Sequence, residues 1–389
     1  MSSKVALYSA VGDELTHYEV DVERAVLTKR DTISVPANVQ YAWPHPSKRY
    51  LYVATSNRGS SPTADLNHLS AYRIDPATGA LALHGEPRTL RDRAVHICVD
   101  LDGRHVLSGH NLPRSGITVN RIEPDGTLGP EIAQSDVLEF GPYPHQVMVT
   151  PSGRTTILID RGNSAEHGKP EDPGALRLFG LKDGVLSSGA VVAPNGGYGF
   201  GPRHLDFHPE KPWLYVSDER RSKLYMFRMA EDSLEPEAAY TCDTLADPQN
   251  IKRRQLAGAI HVHPNGRYVY VMNRADALVK EEGQSVFGGG ENSIAVYAID
   301  QQTGEPTLIQ HADTHAFHVR TFSIDPGGAL LVAGSIKPLP VRVGGEVTMQ
   351  PAVLSVSRVG SDGKLELVRT YGVGPAHKIH YWSGMLSLD

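Results

Sequence analysis

The segment IHVHPNGRYVYVMNR, residues 260–274, contains two short apolar runs joined by a Pro-Asn-Gly turn. The β-branched and aromatic residues of YVYV favour strands, and the run is too short for a typical helix. The Asn-Gly pair supplies the positive φ angles that a tight hairpin turn requires. This segment therefore predicts two antiparallel strands connected by a tight turn.

The same pattern occurs six times along the chain. The turn positions are Pro46, Leu101, Pro151, Pro209, Pro264 and Pro326, so successive copies are 50–62 residues apart. Each copy continues into a third alternating run, such as IAVYAID from Ile294, and ends in a short fourth one. A sheet of four antiparallel strands cannot bury both of its faces alone, but radially stacked sheets bury them against each other. The repeat therefore predicts a β-propeller.

The two ends of the chain supply the parts of one more repeat. The N-terminus offers KVALYSA, LTHYEVD and RAVLTK, which resemble the second to fourth strands of a copy that lacks its first strand. The C-terminus offers the single run HKIHYWS, which begins at His377. Joining them predicts an all-β, seven-bladed propeller whose last blade is closed by the N- and C-terminal strands. We expect one domain over residues 1–389, although the length alone would suggest two or three domains.

Composition excludes several classes of function. The chain has 38 basic and 44 acidic residues, a net charge of −6, which argues against a nucleic-acid partner. No apolar stretch is long enough to span a membrane, and the N-terminus lacks the apolar core of a secretory signal, so we expect a cytoplasmic protein. Only Cys98 and Cys242 are present, which excludes a disulfide framework. The oligomeric state is not predicted.

Four motifs carry a resemblance to a known family. They are GPYPHQVMVTPSG, residues 141–153; GFGPRHLDFHP, residues 199–209; YVSDE, residues 215–219; and AGAIHVHPNGRYVYVMNR, residues 257–274. The chain resembles, from end to end, the lactonase family of seven-bladed propellers, which includes propeller-type 6-phosphogluconolactonases and fungal 3-carboxy-cis,cis-muconate cyclase. It departs from the family where P-R-x-F reads HVRTF, with Arg320 kept. Two polar stretches, residues 161–175 and 275–292, are longer than usual and are expected to reshape the mouth of the pocket.

The residues just before each innermost strand should converge on one pocket at the centre of the ring, because those strands begin there. Those positions, together with the ends of the second strands, give His96, His145, Arg203, Arg320, His377, Asn111, Asp160, Glu219 and Arg274. The resemblance to the muconate cyclase branch implies functional roles for His145, Arg203, Glu219 and Arg274. We expect His96, Arg320, Asn111, Asp160 and His377 to bind substrate.

The chemistry of these groups suits an anionic substrate. Arg203 and Arg274 can bind a carboxylate or phosphate and stabilise an oxyanion. We expect His145 to act as the general base and Glu219, ionised between arginines, as its electrostatic and positioning partner. An inter-blade ion pair for Arg203 and Glu219, or a loop-positioning histidine at 145, are the structural alternatives. His204 follows Arg203 on a strand, so strand alternation predicts that it points to the other face and packs there.

The favoured function is a lactonase that hydrolyses the lactone of an acidic sugar or related hydroxy acid without a cofactor. His261 and His263 share a strand face, but no third ligand is evident, so no metal is expected. The partner would be a small anionic lactone or carboxylate. One alternative is a cycloisomerase that forms a lactone from an unsaturated carboxylate, and another is a non-catalytic binding propeller. The sequence does not separate hydrolysis from cycloisomerisation, nor name the substrate.

Overall fold

The computed structural model describes residues 4–57, 65–134, 137–166, 168–250 and 254–388. Within these ranges the chain is almost entirely β-structure, with one short 3₁₀ turn at Pro194–Gly197. The strands form seven sheets of four or five strands and two small two-stranded sheets. None of the described helical segments is long and apolar enough to cross a membrane.

The first half of the chain contains the N-terminal strands and blades 1 to 3. The N-terminal strands are β1 (Val5–Val11), β2 (Glu14–Asp21) and β3 (Val26–Ser34). Blade 1 contains β4 (Val39–Pro44), β5 (Tyr50–Ser56), β6 (Asn67–Ile74), β7 (Leu81–Leu83) and β8 (Arg88–Thr89). Blade 2 contains β9 (Arg93–Val99), β10 (His105–Leu112), β11 (Gly116–Ile122) and β12 (Leu128–Glu131). Blade 3 contains β13 (Pro144–Val149), β14 (Thr155–Asp160), β15 (Ala175–Lys182) and β16 (Val185–Val192).

The second half contains blades 4 to 6 and the last strand. Blade 4 contains β17 (Pro202–Phe207), β18 (Trp213–Asp218), β19 (Lys223–Ala230), β20 (Ser233–Leu234) and β21 (Tyr240–Asp243). Blade 5 contains β22 (Leu256–Val262), β23 (Tyr268–Arg274), the hairpin β24 (Leu278–Glu281) and β25 (Gln284–Phe287), then β26 (Ser293–Ile299) and β27 (Pro306–Asp313). Blade 6 contains β28 (Val319–Ile324), β29 (Leu330–Ser335), the hairpin β30 (Leu339–Val343) and β31 (Glu346–Gln350), then β32 (Val353–Val359) and β33 (Leu365–Gly372). The last strand is β34 (His380–Ser387).

The seventh blade is closed by both ends of the chain, as the sequence predicts. Its strand order is β3-β2-β1-β34, with β34 innermost and antiparallel to β1. Val5 faces Ser387 and Ser9 faces Ser383 across this pair. The innermost strand begins at His380, three residues later than the sequence indicates, because residues 375–378 form a turn in which the amide of Lys378 donates to the carbonyl of Pro375. The seven-bladed propeller is confirmed.

A repeated polar contact holds neighbouring blades together. In four places a buried tyrosine on a second strand donates its hydroxyl to a glycine carbonyl in the outer turn of the next blade. The pairs are Tyr8 with Gly79 (2.6 Å), Tyr52 with Gly126 (3.0 Å), Tyr215 with Gly304 (2.8 Å) and Tyr270 with Gly363 (2.8 Å). The four glycines have φ between 80° and 87°, where a side chain would be strained. Each contact therefore fixes the position of one blade against the next while satisfying a buried hydroxyl.

Every innermost strand contains a β-bulge near its start. At that point one residue, or two in blade 5, interrupts the pairing with the second strand. The residues at these seven positions are Gln40, Val95, His145, Arg203, Ala259, Arg320 and Tyr381, which we call the bulge ring. Because a bulge re-aims the side chain that it carries, the seven residues share one direction, toward the axis of the propeller. All seven line the same central cavity.

Candidate functional site

The bulge ring surrounds a cavity of about 320 Å³ on the propeller axis. Its walls are the innermost strands of blades 1, 3, 4, 5, 6 and 7, with Val95 contributed by blade 2. The volume lies at the lower end of the range that proteins use for small ligands. The cavity is therefore the candidate site, and the side chains that face it decide what it binds.

Arg203 is the most deeply buried charge in the cavity wall, with 1% of its surface exposed. Its Nε lies 2.9 Å from Oε1 of Glu219, which makes an ion pair, but neither Nε nor Nη1 has a hydrogen-bond partner among the described residues. Burial, together with the neighbouring arginines, lowers the pKa of Arg203 well below its usual value, and Glu219 opposes this effect. A buried guanidinium with an unused donor favours an anionic ligand at this point.

Glu219 lies among three arginines. Arg274 Nη2 shares Oε1 with Arg203, while Arg161 Nη1 lies 2.8 Å from Oε2. Burial raises the pKa of Glu219, but the three guanidinium groups outweigh it and hold the pKa well below its usual range. Glu219 is therefore a permanent anion at neutral pH that positions these arginines, and its contacts are to them rather than to His145.

Three of these groups occupy equivalent places in consecutive blades. Pro144 pairs with Asp160 and Pro202 with Asp218, so Arg161 in blade 3 corresponds to Glu219 in blade 4. Arg274 has the same place in blade 5. The strand pattern points to Asp160, the residue before Arg161, at this place. The signal that could have found Arg161 is the repeat itself, aligned on these pairs.

Asp160, which the sequence predicts to bind substrate, does not face the cavity. It is fully buried and accepts hydrogen bonds from the amides of Tyr143 (2.9 Å) and Gly162 (3.2 Å), and from Nη2 of Arg177 at 3.2 Å. These contacts hold the loops around β14, which is a structural role.

Three imidazoles line the cavity, those of His145, His204 and His261, and the first two are the ones paired beside Arg203. The ring centroids of His145 and His204 are 5.0 Å apart. Burial, and after it the charge of Arg203, lowers the pKa of each well below its usual value, so both rings are neutral at neutral pH. The prediction that His204 points away from the pocket is wrong, because the bulge at Arg203 breaks the strand alternation and lets consecutive residues face the cavity.

Arg320 and Tyr381 complete the charged part of the ring. The guanidinium carbon of Arg320 lies 4.4 Å from the ring centroid of Tyr381, a cation–π contact. Burial lowers the pKa of Arg320 to about 10. Among the described residues, Arg320 forms no salt bridge with a carboxylate. Arg320 thus faces the cavity, as the sequence predicts, and the charge of Glu219 acts on it only from a distance.

Other predicted substrate-binding residues lie elsewhere. His96 is buried against Tyr41, with ring centroids 3.9 Å apart, and its neighbour Val95 faces the cavity instead. His377 is exposed in the turn before β34, and Tyr381 occupies the expected place. Asn111 is buried but does not line the cavity. A one-residue bulge moves the cavity-facing position from His96 to Val95, whereas the turn at residues 375–378 delays β34 and moves that position from His377 to Tyr381.

Arg274 also lies behind the cavity wall rather than in it, 4% exposed and in contact with Glu219. In the part of the chain that the structure describes, no group of three or more His, Cys, Asp or Glu side chains could hold a metal ion. His261 Nε2 faces the Phe322 carbonyl at 3.1 Å, and His263 Nε2 faces the Gly328 carbonyl at 2.8 Å. These two histidines connect blades.

Comparison with known proteins agrees with this architecture. The family model described as lactonase, 7-bladed beta-propeller, matches residues 4–337. The 6-phosphogluconolactonase of Bacillus subtilis is 25% identical over 368 residues, covering 90% of this chain and 95% of the relative. That of Pectobacterium carotovorum is 28% identical over 373 residues, covering 93% and 92%. The periplasmic gluconolactonase PpgL of Pseudomonas aeruginosa has the same fold, with a TM-score of 0.74 at 19% identity and full coverage of both chains.

Proposed function

This chain belongs to the lactonase family of seven-bladed β-propellers, and from that premise we propose that its central cavity hydrolyses a lactone bearing an anionic group. The observation that carries the proposal is the arrangement of the cavity wall. Arg203 and Arg320 face the same small space as two neutral imidazoles, His145 and His204. This combination supplies a binding site for an anion and a group that can move a proton.

The charge balance supports an anionic substrate. Three guanidinium groups, those of Arg161, Arg203 and Arg274, contact the carboxylate of Glu219, and the charge of Arg320 lies close enough to add to theirs. Buried charge without a partner is unfavourable, so a negatively charged ligand would stabilise the site. Phosphate and carboxylate groups both match the donors of arginine. Because the relatives are named 6-phosphogluconolactonases, 6-phosphoglucono-δ-lactone is the first substrate to test.

The proposed reaction uses His145, His204 and Arg320, and leaves Arg203 to bind the anionic group of the substrate. Neutral His145 takes a proton from a water molecule as the water oxygen attacks the lactone carbonyl carbon. Arg320 stabilises the negative charge that develops on the carbonyl oxygen. The ring C–O bond then breaks, and the leaving oxygen takes the proton back from the His145 imidazolium. During this step His204 holds the leaving oxygen by a hydrogen bond. One water is consumed, and the hydroxy acid formed ionises in solution.

In this scheme Glu219 has a positioning role. Both of its oxygens contact arginines, so neither oxygen is free to take a proton from water. It fixes Arg203 at the cavity wall by sharing one oxygen between Arg203 and Arg274. We retain His145 as the general base and move Glu219 from partner of His145 to anchor of Arg203.

The test compares lactones and muconates of different charge. Purified protein is mixed with 6-phosphoglucono-δ-lactone, glucono-δ-lactone or carboxylated muconates, and proton release and ultraviolet absorbance are followed. We expect hydrolysis of the phosphorylated lactone to exceed the spontaneous rate by far and that of the neutral lactone by less, and we expect turnover to persist in EDTA. Conversion of a muconate without lactone hydrolysis would assign the cycloisomerase alternative. Binding without turnover of any compound would assign a binding propeller.

The remaining expectations concern partners and location. A small-molecule substrate without a nucleic-acid or membrane partner is consistent with the net charge of −6. A cytoplasmic location stays a prediction, to be checked by cell fractionation; the similar structure from Pseudomonas aeruginosa is named as periplasmic.

A further inference from the structure

The stretch 275–292 follows Arg274 directly and does not line the cavity. It leaves blade 5 as the hairpin β24–β25 and returns at Asn292. The side chain of Asn292 binds the backbone of Ala275, so it joins the two ends of the stretch. The amide of Ala275 donates to Asn292 Oδ1 (3.1 Å), and Asn292 Nδ2 donates to the Ala275 carbonyl (3.2 Å). The same Oδ1 accepts the backbone amide of His318 at 2.7 Å. The insertion is therefore attached to the segment that enters blade 6.

His318 is held in an unusual conformation at this junction. It is 6% exposed and has a φ of 48°, in the left-handed region that residues other than glycine seldom occupy. Such outliers persist where the surroundings over-determine them, and they cluster at functional sites. Its Nδ1 lies 3.0 Å from Asp276 Oδ2, and its Nε2 lies 3.4 Å from Arg274 Nη1. The ring therefore connects an anion of the insertion to a cation of the site.

These neighbours determine the protonation state of the His318 ring. Burial lowers the pKa of His318; Asp276 opposes this, and the charges of Arg274 and Arg320 add to it. The close approach of His318 lowers the pKa of Asp276 to about 2, with Lys337 and Arg254 contributing from neighbouring segments. A neutral ring keeps Nδ1 in close polar contact with Asp276 Oδ2, at 3.0 Å, and accepts from Arg274 on Nε2.

We propose that His318, oriented by Asp276 and Asn292, is a positioning residue that holds Arg274 against Glu219 and thereby sets the affinity of the cavity for the anionic group of the substrate. Arg274 has two side-chain partners among the described residues, Glu219 and His318. Arg274 and Arg203 share Oε1 of Glu219, so a displaced Arg274 allows Glu219 and then Arg203 to shift. The inference rests on the proposed function for its substrate and explains what the insertion does.

Two substitutions separate this role from a structural one. In His318→Asn, the residue tolerates the left-handed backbone, and its amide nitrogen replaces Nδ1 toward Asp276, but it does not reach Arg274. In His318→Gln, the amide can place an acceptor close to the position of Nε2. We expect His318→Asn to raise KM for 6-phosphoglucono-δ-lactone about tenfold, as for a lost hydrogen bond to a charged group, with kcat within about threefold. His318→Gln should recover most of that loss.

Two comparisons make the result decisive. The neutral glucono-δ-lactone should show an unchanged KM in both variants, and Glu281→Gln, which removes the exposed hairpin contact to Arg342, should match the wild type for both lactones. Equal losses for both lactones in His318→Asn, without recovery in His318→Gln, would assign a structural role and overturn the inference. So would wild-type kinetics in His318→Asn.

The failure of the proposed function is seen separately. If the wild type hydrolyses no lactone, the function is wrong, and the inference is then tested by calorimetric titration with 6-phosphogluconate. His318→Asn should weaken that binding about tenfold, and His318→Gln should weaken it less. Equal affinity in all three proteins would overturn the inference independently of catalysis.

Discussion

The two sides of the bulge ring share one backbone feature and differ in chemistry. On the charged side, blades 3, 4 and 6 place His145, Arg203 and Arg320 at their bulges. On the neutral side, blades 7, 1 and 2 place Tyr381, Gln40 and Val95 at the equivalent positions; all six residues line the cavity. The propeller therefore supplies the positions, and the residue at each one decides whether the position binds charge.

The two sides have complementary tasks. The charged side also contains the anchors behind the wall, Arg161, Glu219 and Arg274. The neutral side presents Trp43 and Trp382 to the same cavity, which suits the carbon skeleton of a ligand. Because the charged groups are buried and fixed before a ligand arrives, they need little reorganisation to stabilise a developing negative charge. The following experiments alter one side and keep the other.

The largest effect should come from deleting residues 380–389, which removes β34 from the neutral side and leaves every charged-side residue in place. The second strand of blade 7, β1, would become an unpaired edge, and the ring would open. We expect the loss of a cooperative unfolding transition in calorimetry. Removing residue 389 alone is the control. A truncated protein that melts at the wild-type temperature would refute closure of the ring by this strand.

On the charged side, His145→Gln should lower kcat by about 10²–10⁴, because the general base is lost while the cavity shape is largely kept. The matched change on the neutral side, Val95→Ala at the equivalent bulge, should alter kcat by less than about threefold. Stopped-flow proton release measures both. Comparable losses in the two variants would show that cavity shape, not proton transfer, decides the rate.

The pH profile of the wild type assigns the base. Burial and Arg203 lower the pKa of His145 below its usual value near 6.5, so the neutral, active form persists on mild acidification. The acidic limb of the rate profile should therefore lie below the pH at which an ordinary histidine titrates. If this acidic limb persists in His145→Gln and disappears in Glu219→Gln, the two residues have exchanged roles.

Next in size is the loss of charge at the ring itself. Arg203→Met should weaken binding of the phosphorylated lactone by about 2–5 kcal/mol, because a buried charge pair loses one partner. Gln40→Met, at the same bulge on the neutral side, removes no charge and serves as the matched control. Competitive inhibition by 6-phosphogluconate measures the difference. An Arg203→Met enzyme that still prefers the anionic lactone to the neutral one to the same degree would place Arg203 in the scaffold.

A smaller effect concerns stability against acid on the neutral side. Burial lowers the pKa of His96 to about 3, below its unfolded value near 6.5, so the unfolded chain binds more protons below pH 6.5. Stability from this group is thus present above pH 6.5 and is lost as the pH falls. Between pH 6.5 and 5 it amounts to about 2 kcal/mol, at 1.36 kcal/mol per pH unit.

Replacing this histidine tests the sign. His96→Phe keeps the contact with the Tyr41 ring and removes the titration, so urea unfolding should depend less steeply on pH between 6.5 and 5. An unchanged slope would mean that the ring is charged, or exposed, in the folded protein.

The repeats and the closure of blade 7 are predictable from the sequence because each depends on local turn and strand patterns. The exact lining of the cavity is not, because a bulge shifts which residue faces the axis without leaving a composition signal. His96 is one residue from the cavity-facing Val95, Asp160 is one residue from Arg161, which contacts Glu219, and His377 is four residues from the cavity-facing Tyr381. His145 and Arg203 face the cavity as the sequence predicts, each directly after a proline that begins an innermost strand.

The smallest effect tests that one-residue shift directly, in the neighbours Asp160 and Arg161. Arg161→Met removes one of three arginines from Glu219 and leaves Arg203 and Arg274 in place, so KM for the phosphorylated lactone should rise about threefold to tenfold, in line with a partly exposed ion pair. Asp160→Asn weakens the contacts to Tyr143 and Arg177 behind the cavity, so it should lower the melting temperature and leave KM unchanged. The opposite pattern, with KM sensitive to Asp160 and indifferent to Arg161, would return the site to the position that the strand pattern alone predicts.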